Sequence, residues 1–425
     1  MIRRTPKGGS WETTNPNHGL VVFYCEHFIS QLGTGKNIIN MKAIMSLSQT
    51  PIQSFLSQTQ TGNSKWWSWI IGFWFALVIW FYGQIVLGVG MQVMAMITDP
   101  EILQKAMAEQ ASTDFDPNTA MKYALIGLTP IIPVIFWFLR HSFKSNLSKQ
   151  IASVLSALVI CITSIAFVKA NLNAPAGSED IISNLITSHP INYALILLTF
   201  PVLLFGLWLS QKFIHSRSFL SLLTAAPKFR WGRMAFAMLV MWAILAIASL
   251  IGHVSGASHA EFVFNPSRFW IYLPVTLLLI PLQSATEEIA LRGYLNQGIG
   301  HYIKNPWIVF VITSAAFASL HLGNPEIAET TKDTSLIIAM SGYFLFGLFA
   351  CVLTYIDGGL ESAIGMHAAN NIFAASLVGY DNSALPTPTV FKVPLNSELD
   401  SIIVFFSLSL ICLIMYKTRK PTSTA

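Results

Sequence analysis

Charge is scarce in this chain. Of its 425 residues 11% are Asp, Glu, Lys or Arg and 53% are hydrophobic. A soluble domain carries about 25% charged residues, so a single core packed in water is excluded as the organising principle. Cysteine is scarce too, at Cys25, Cys161, Cys351 and Cys412. No two have the spacing of a CxxC pair, and the last three sit in apolar blocks. That excludes a disulfide framework or a thiolate zinc site and leaves small buried hydrophobes. Residues 1–42 contain no basic head followed by a clean apolar stretch, so a cleavable signal peptide is not expected and the first membrane helix would direct targeting. No nucleic-acid motif occurs. The net charge of +5 fits basic cytoplasmic loops and not a nucleic-acid partner.

What the chain has in abundance is long apolar runs. A run of about 18 or more such residues reads as a bilayer-spanning helix. Residues 1–65 are polar and rich in Ser, Thr, Gln and Asn, which predicts a mostly disordered segment, with Met41 as an alternative start. Apolar blocks follow at about 66–97, 121–139, 151–168, 191–212 and 232–252, then 269–286, 306–321, 336–356, 361–378 and 401–417. Loop charge supports the count. Arg140, Lys144 and Lys149, then Lys212, Arg217, Lys228, Arg230 and Arg233, then Lys417, Arg419 and Lys420 mark basic segments. Between them lie acidic or mixed ones, at Asp99 to Asp116, at Glu179 and Asp180, and at Glu326, Glu329 and Asp333. The alternation predicts an all-α, polytopic transmembrane helix bundle of about ten spans with both termini in the cytoplasm. Trp66, Trp67, Trp69, Trp231 and Trp270 near block ends read as interfacial anchors.

Ionisable groups within a membrane are costly and point to function. They gather in three places, all in the last third. In Thr286-Glu287-Glu288-Ile289-Ala290-Leu291-Arg292, Glu288 and Arg292 are four apart and share a helical face, so they can pair. Glu287 is rotated by about 100° from Glu288 and has no obvious local partner, which suits a base tuned by burial. The second place is Phe317-Ala318-Ser319-Leu320-His321, with Phe317 read as packing. A turn is expected at Lys304-Asn305-Pro306; Glu287 stands 17 residues before Lys304 and His321 17 after it. In an antiparallel pair of helices that spacing puts carboxylate and imidazole at one depth. The third is His367-Ala368-Ala369-Asn370-Asn371. His367 and Asn371 share a face about 6 Å apart along the axis, and both can donate to a developing oxyanion. Asn370 points elsewhere, and Gly358-Gly359 supplies the turn that returns this helix to the membrane. Asp357 and Glu361, beside that turn, are expected to be solvated, and the other eight histidines are assigned no chemistry.

EExxxR, FxxxH and HxxxN, in this order and each on its own apolar segment, resemble the signature of the CPBP (Abi) family of CAAX prenyl endopeptidases and bacteriocin-processing relatives. The likeness covers about residues 268–380. Leu222 to Trp231 is also similar to a loop that precedes that core in bacterial members. Each motif is short and permissive alone; three in order within membrane helices are specific, and no signature residue departs from the pattern. The resemblance implies an intramembrane endopeptidase in which Glu287 with His321 activates a water. It gives His367 and Asn371 the oxyanion and assigns Glu288 and Arg292 to holding the glutamate helix. The substrate it implies is a peptide or protein in the bilayer, lipidated in the CAAX case. The family has been described both as metalloproteases and as metal-free glutamate enzymes. Two carboxylates and two histidines could take zinc, but Asn371 beside His367 suits an oxyanion role, so no metal is assigned.

The chain thus divides into the polar segment 1–65, N-terminal transmembrane helices at 66–267, a protease core at 268–380, and a last span with a basic tail at 381–425. A transporter would spread its carboxylates along a pathway through two repeated halves, whereas here they cluster in one half. A non-catalytic membrane immunity or partner-binding protein of the same fold is the alternative reading. A bacterial inner membrane is the expected location.

Overall fold

The computed structural model describes residues 51–98, 100, 101, 104, 131–172, 184–380, 382–395 and 397–419. The first half contains α1 (Pro51–Ser57), α2 (Trp66–Thr98), α3 (Ile131–Leu139), α4 (Asn146–Leu172), α5 (Pro190–Leu197), α6 (Thr199–Leu209), the short α7 (Leu220–Leu223) and α8 (Trp231–Val254). The second half contains α9 (Pro266–Glu288), α10 (Asn296–Tyr302), α11 (Pro306–Ser319), α12 (Pro325–Thr330), α13 (Leu336–Asp357), α14 (Glu361–Ser376) and α15 (Ser397–Thr418). Two wider π-helical turns, Ser210–His215 and Ile289–Leu295, continue α6 and α9.

These segments are helical because hydrocarbon offers backbone N–H and C=O groups no other partner. Their ends follow local chemistry. Asn265 caps α9 by accepting from the Arg268 N–H, with Pro266 in the first turn. Asn305 and Pro306 do the same for α11, at the turn expected from sequence. Ser335 caps α13, which stops at Gly358 in the left-handed region (φ 62°), a conformation glycine adopts without steric penalty.

Among the described residues six helices are long and apolar enough to cross a membrane. They are Trp66–Thr98, Pro190–His215, Trp231–Val254, Pro266–Tyr302, Leu336–Asp357 and Asp400–Thr418, with Asn146–Ile160 and Pro306–Ser319 as shorter apolar helices. The architecture is a helical membrane bundle. The expected span at 121–139 lies partly outside the described residues. The block at 361–378 is α14, only 16 residues long and with 13 of them buried, so it is a central helix within the bundle. Residues 1–50 of the expected polar segment lie outside the described residues. Its last part is ordered: Ile52 and Phe55 of α1 are buried in a cluster with Trp69, Tyr294 and Phe310.

α14 packs against α8, α9 and α13, while α13 packs on α11 and α15. A Cβ on Gly365 would stand 2.2 Å from the Met234 carbonyl oxygen, so only glycine lets α8 approach α14 this closely. Three two-residue strands, not foreseen from sequence, join segments far apart in the chain. Glu261–Phe262 pairs antiparallel with Phe391–Lys392, and the latter pairs in parallel with Val378–Gly379. The sheet ties the segment after α14 to the approach to α9.

The turn into α14 corrects the expectation that Asp357 and Glu361 are solvated. Both are buried. Arg230 Nε and Nη2 donate to the two oxygens of Glu361 at 2.9 and 2.7 Å. Arg233 Nε and Nη2 do the same to Asp357 at 3.0 and 2.9 Å. Burial opposes the charge on Arg230, but the Glu361 hydrogen bonds and charge, with Asp357, hold its guanidinium above the usual range. Backbone bonds reinforce the dock: Leu360 N–H donates to Leu223 O and Ala225 N–H to Gly358 O. The Leu222 to Trp231 stretch is therefore the clamp on the N-terminus of α14.

Candidate active site

Three helices bring the three motifs together. α9 and its π-helical turn carry Glu287, Glu288 and Arg292, the end of α11 leads into His321, and α14 carries His367 and Asn371. Glu288 is fully buried. Its Oε1 accepts from Arg292 Nη1 at 3.2 Å and from His367 Nδ1 at 2.8 Å. The i,i+4 pair anticipated from sequence therefore forms, and the histidine of the third motif completes it. Arg292 lies over the Phe317 ring at 4.4 Å, a contact worth most where both groups are desolvated.

Glu287 differs from its neighbour. Its side chain keeps 17% exposure, and its Oε2 is 3.6 Å from His367 Nε2. Its Oε1 accepts a 2.6 Å hydrogen bond from Gln283 Nε2, one turn back on α9. That partner corrects the expectation of none. Oε2 has no protein hydrogen-bond partner. His367 thus spans both glutamates, with Nδ1 facing Glu288 and Nε2 facing Glu287.

His321 sits two residues beyond the end of α11. Its Nδ1–H donates to the Phe317 carbonyl at 2.8 Å, which also accepts from the Leu320 N–H at 3.2 Å. This fixes the tautomer and leaves Nε2 with an open lone pair. The ring stacks on Tyr343 at 4.3 Å and leans on Phe317 at 4.6 Å. Phe317, whose ring also meets His367 at 6.0 Å, is the common wall of the site. The charges of Glu287 and Glu326 act on His321, but no hydrogen bond joins His321 to either glutamate of the first motif.

Asn371 Nδ2 donates to Gln283 Oε1 at 3.1 Å and lies 3.5 Å from Ser284 Oγ. Asn370 turns away from the glutamates and donates to Asn371 Oδ1 at 3.2 Å. Sequence reasoning missed Gln283 and Ser284, although a polar pair one turn before Glu287 inside an apolar block was a visible signal. It also missed Glu326, which accepts from Tyr343 Oη and from Asn324 Nδ2 at 2.9 Å. Glu326 looks like an ordinary loop carboxylate until the fold buries it.

The profile of the family described as Type II CAAX prenyl endopeptidase Rce1-like matches residues 266–373. That stretch runs from the start of α9 into α14 and contains all three motifs. A relative from Bacillus subtilis (strain 168), the uncharacterized protein YyaK, is 30% identical over 217 residues, which cover 51% of this chain and 70% of the relative. The chain belongs to the Rce1-like CAAX prenyl endopeptidase, or CPBP, family. No solved structure matches it. Membership and the apolar helices make it an integral membrane protein carrying a protease-type domain of this family.

Zinc does not fit this Rce1-like site as it is arranged. Glu288 Oε1 is taken up by Arg292 and His367. Among the described residues no three His, Cys, Asp or Glu side chains converge as a metal-binding group. Asn371 and Gln283, both poor zinc ligands, fill the remaining side of the site.

Proposed function

We propose that the chain is an intramembrane endopeptidase of the CAAX prenyl protease or bacteriocin-processing type. It hydrolyses a peptide bond near the C-terminus of a membrane-associated, in the CAAX case lipidated, substrate. The observation that carries this reading is the 2.8 Å hydrogen bond from His367 Nδ1 to Glu288 Oε1. It locks the third motif to the first and aims the remaining nitrogen of His367 at the free oxygen of Glu287.

Glu287 Oε2 and His321 Nε2 hold the nucleophilic water. Glu287 takes one of its protons as the oxygen adds to the scissile carbonyl carbon. The carbonyl electron pair moves onto its oxygen, and His367 Nε2–H, in the protonated ring, and Asn371 Nδ2–H stabilise that oxyanion. Collapse breaks the C–N bond, and the proton held by Glu287 passes to the departing nitrogen, giving an acid and an amine. A positioned base contributes about 10²–10⁴-fold and an oxyanion donor about 10²–10³-fold. Residues 268–380 form the protease core. The helices of 66–267 support it and admit substrate, and both termini lie on the cytoplasmic side of a bacterial inner membrane.

The test is cleavage of a panel of C-terminal membrane peptides, prenylated and unmodified, by the purified protein in detergent. Wild type should cut at least one peptide, Glu287→Ala should lose the activity, and a chelator should leave it intact. Loss with chelator and recovery with zinc would replace the metal-free mechanism. Failure to cut any peptide would favour a membrane protein that binds a partner without cleaving it.

A further inference from the structure

Gln283 stands one turn before Glu287 on α9, and its side chain is buried between α9 and α14. Its amide makes hydrogen bonds in two directions. Nε2 donates to Glu287 Oε1 at 2.6 Å; Oε1 accepts from Asn371 Nδ2 at 3.1 Å and from Ser284 Oγ at 3.1 Å. The partners dictate this orientation. A flipped amide would set its oxygen against a carboxylate and its N–H₂ against the N–H₂ of Asn371, which leaves like facing like on both sides.

We propose that Gln283 is a positioning residue that selects which oxygen of Glu287 serves as the base and which hydrogen of Asn371 meets the oxyanion. The inference rests on the endopeptidase reading. With Oε1 held by the amide, only Oε2 faces His367 and is available to a water. Asn371 gives one Nδ2 hydrogen to Gln283 at 3.1 Å and turns the other toward Ser284 Oγ at 3.5 Å, a long bond that yields to an oxyanion. A single amide therefore couples base and oxyanion donor across two helices, a link that the three motifs do not contain. Gln283 itself need not touch the substrate, because its effect passes through its neighbours.

The coupling has a signature beyond loss of activity. A hydrogen bond from a neutral donor favours the ionised carboxylate, and bonds to charged groups are strong enough to move a titration by about one to two pH units. In Gln283→Leu the donor is gone. The ionised Glu287 is then less favoured, and the acid limb of kcat/KM against pH moves to higher pH by about that amount. We expect kcat to fall about 10–100-fold with KM within about threefold of wild type, since the change displaces reacting groups and not the bound peptide.

The experiment uses the full chain in detergent and two readouts. The first is the pH profile of peptide cleavage by wild type, Gln283→Leu and Gln283→Glu. The glutamate keeps the volume of the glutamine, so it serves where the leucine variant fails to fold, and its charge beside Glu287 should move the limb the same way. The second is infrared titration of the carboxyl band that disappears in Glu287→Ala, which needs no substrate. An upward shift of the band midpoint in the Gln283 variants, with the matching move of the acid limb, supports the proposal. A midpoint that stays in place in a folded variant overturns it. A loss expressed in KM alone, with an unmoved acid limb, also overturns it. If wild type cuts no peptide, the endopeptidase reading fails, and the band still reports whether Gln283 holds Glu287.

Discussion

Two adjacent carboxylates in this protein do different work because one helical step, about 100° of rotation, gives them different surroundings. Glu288 points into the bundle, fully buried, and answers two cationic or donor groups at once. Glu287 keeps 17% side-chain exposure, while its Oε2 is buried and has no protein hydrogen-bond partner. Substitution should separate the two roles. Glu288→Gln leaves Arg292 buried without a counter-charge, and breaking a buried pair from one side destabilises by about 3–5 kcal/mol. We expect a large loss of resistance to denaturant in detergent, whatever the assay of activity shows. Glu287→Gln should stay within about 1 kcal/mol of wild type in the same unfolding measurement while losing cleavage about 10²–10⁴-fold. Equal stability losses in the two variants would mean that both carboxylates are merely structural. At this scale the Glu288–Arg292 pair was legible, because an i,i+4 spacing fixes a shared face wherever the helix lies. The Gln283–Glu287 bond has the same spacing and was equally available. It was passed over because a neutral amide attracts less notice than a charge. The His367–Glu288 bond could not be read at all, since it depends on how α14 crosses α9.

At the scale of elements, the helix that carries His367 and Asn371 is positioned by the segment before α8 and the first turn of α8. Arg230 reaches Glu361 across 131 positions of sequence and Arg233 reaches Asp357 across 124. The acids beside a Gly-Gly turn therefore looked solvated, and the arginines looked like ordinary loop charges. Spacing carries no trace of such a return. The same holds for the three short strands, which are too brief for any alternation to appear, and for the two π-helical turns, which have no compositional mark. By contrast Asn305-Pro306 and Gly358 announced their turns through capping and left-handed backbone, both local effects. The clamp yields a thermodynamic cycle. Arg230→Met alone strands the buried Glu361 carboxylate and should destabilise by about 3–5 kcal/mol. Arg230→Met with Glu361→Gln should recover a substantial part, and the coupling between the two sites should exceed about 0.5 kcal/mol. Additive losses in denaturant unfolding would show that the pair does not hold α14. A further consequence concerns catalysis: the single variant should also lower cleavage, because His367 lies less than two turns beyond Glu361.

At the scale of the whole molecule, the apolar pattern foretold a helical membrane bundle, and among the described residues six helices are long and apolar enough to span. α11 has 14 residues, about 21 Å, against a hydrocarbon thickness of about 30 Å. Hydropathy sees it and the largely buried α14 as equals of the more exposed α8, because apolar residues suit protein interior and lipid alike. Topology is nevertheless testable. Cysteines introduced at Lys304, before α11, and at Asp333, before α13, should react with an impermeant thiol reagent from opposite faces of the membrane, as the alternating loop charges require. Labelling of both from one face would mean that α11 does not take the chain across. The native Cys351 and Cys412 are buried, and replacing Cys25 and Cys161 by serine first removes the remaining native thiols.

The Glu288–Arg292 pair has a consequence for how the protein is made. Both residues lie on one helix, so Glu288 already has its counter-charge when that segment leaves the ribosome and enters lipid, before any other helix can assist. His367 follows Glu288 by 79 positions, about 4–16 s later at ordinary rates of synthesis. Throughout that interval the nascent chain can rest in the bilayer with its carboxylate quietly neutralised. On the proposed endopeptidase reading the site is incomplete until the helix bearing the histidine arrives, so the unfinished chain would not cut the membrane proteins around it.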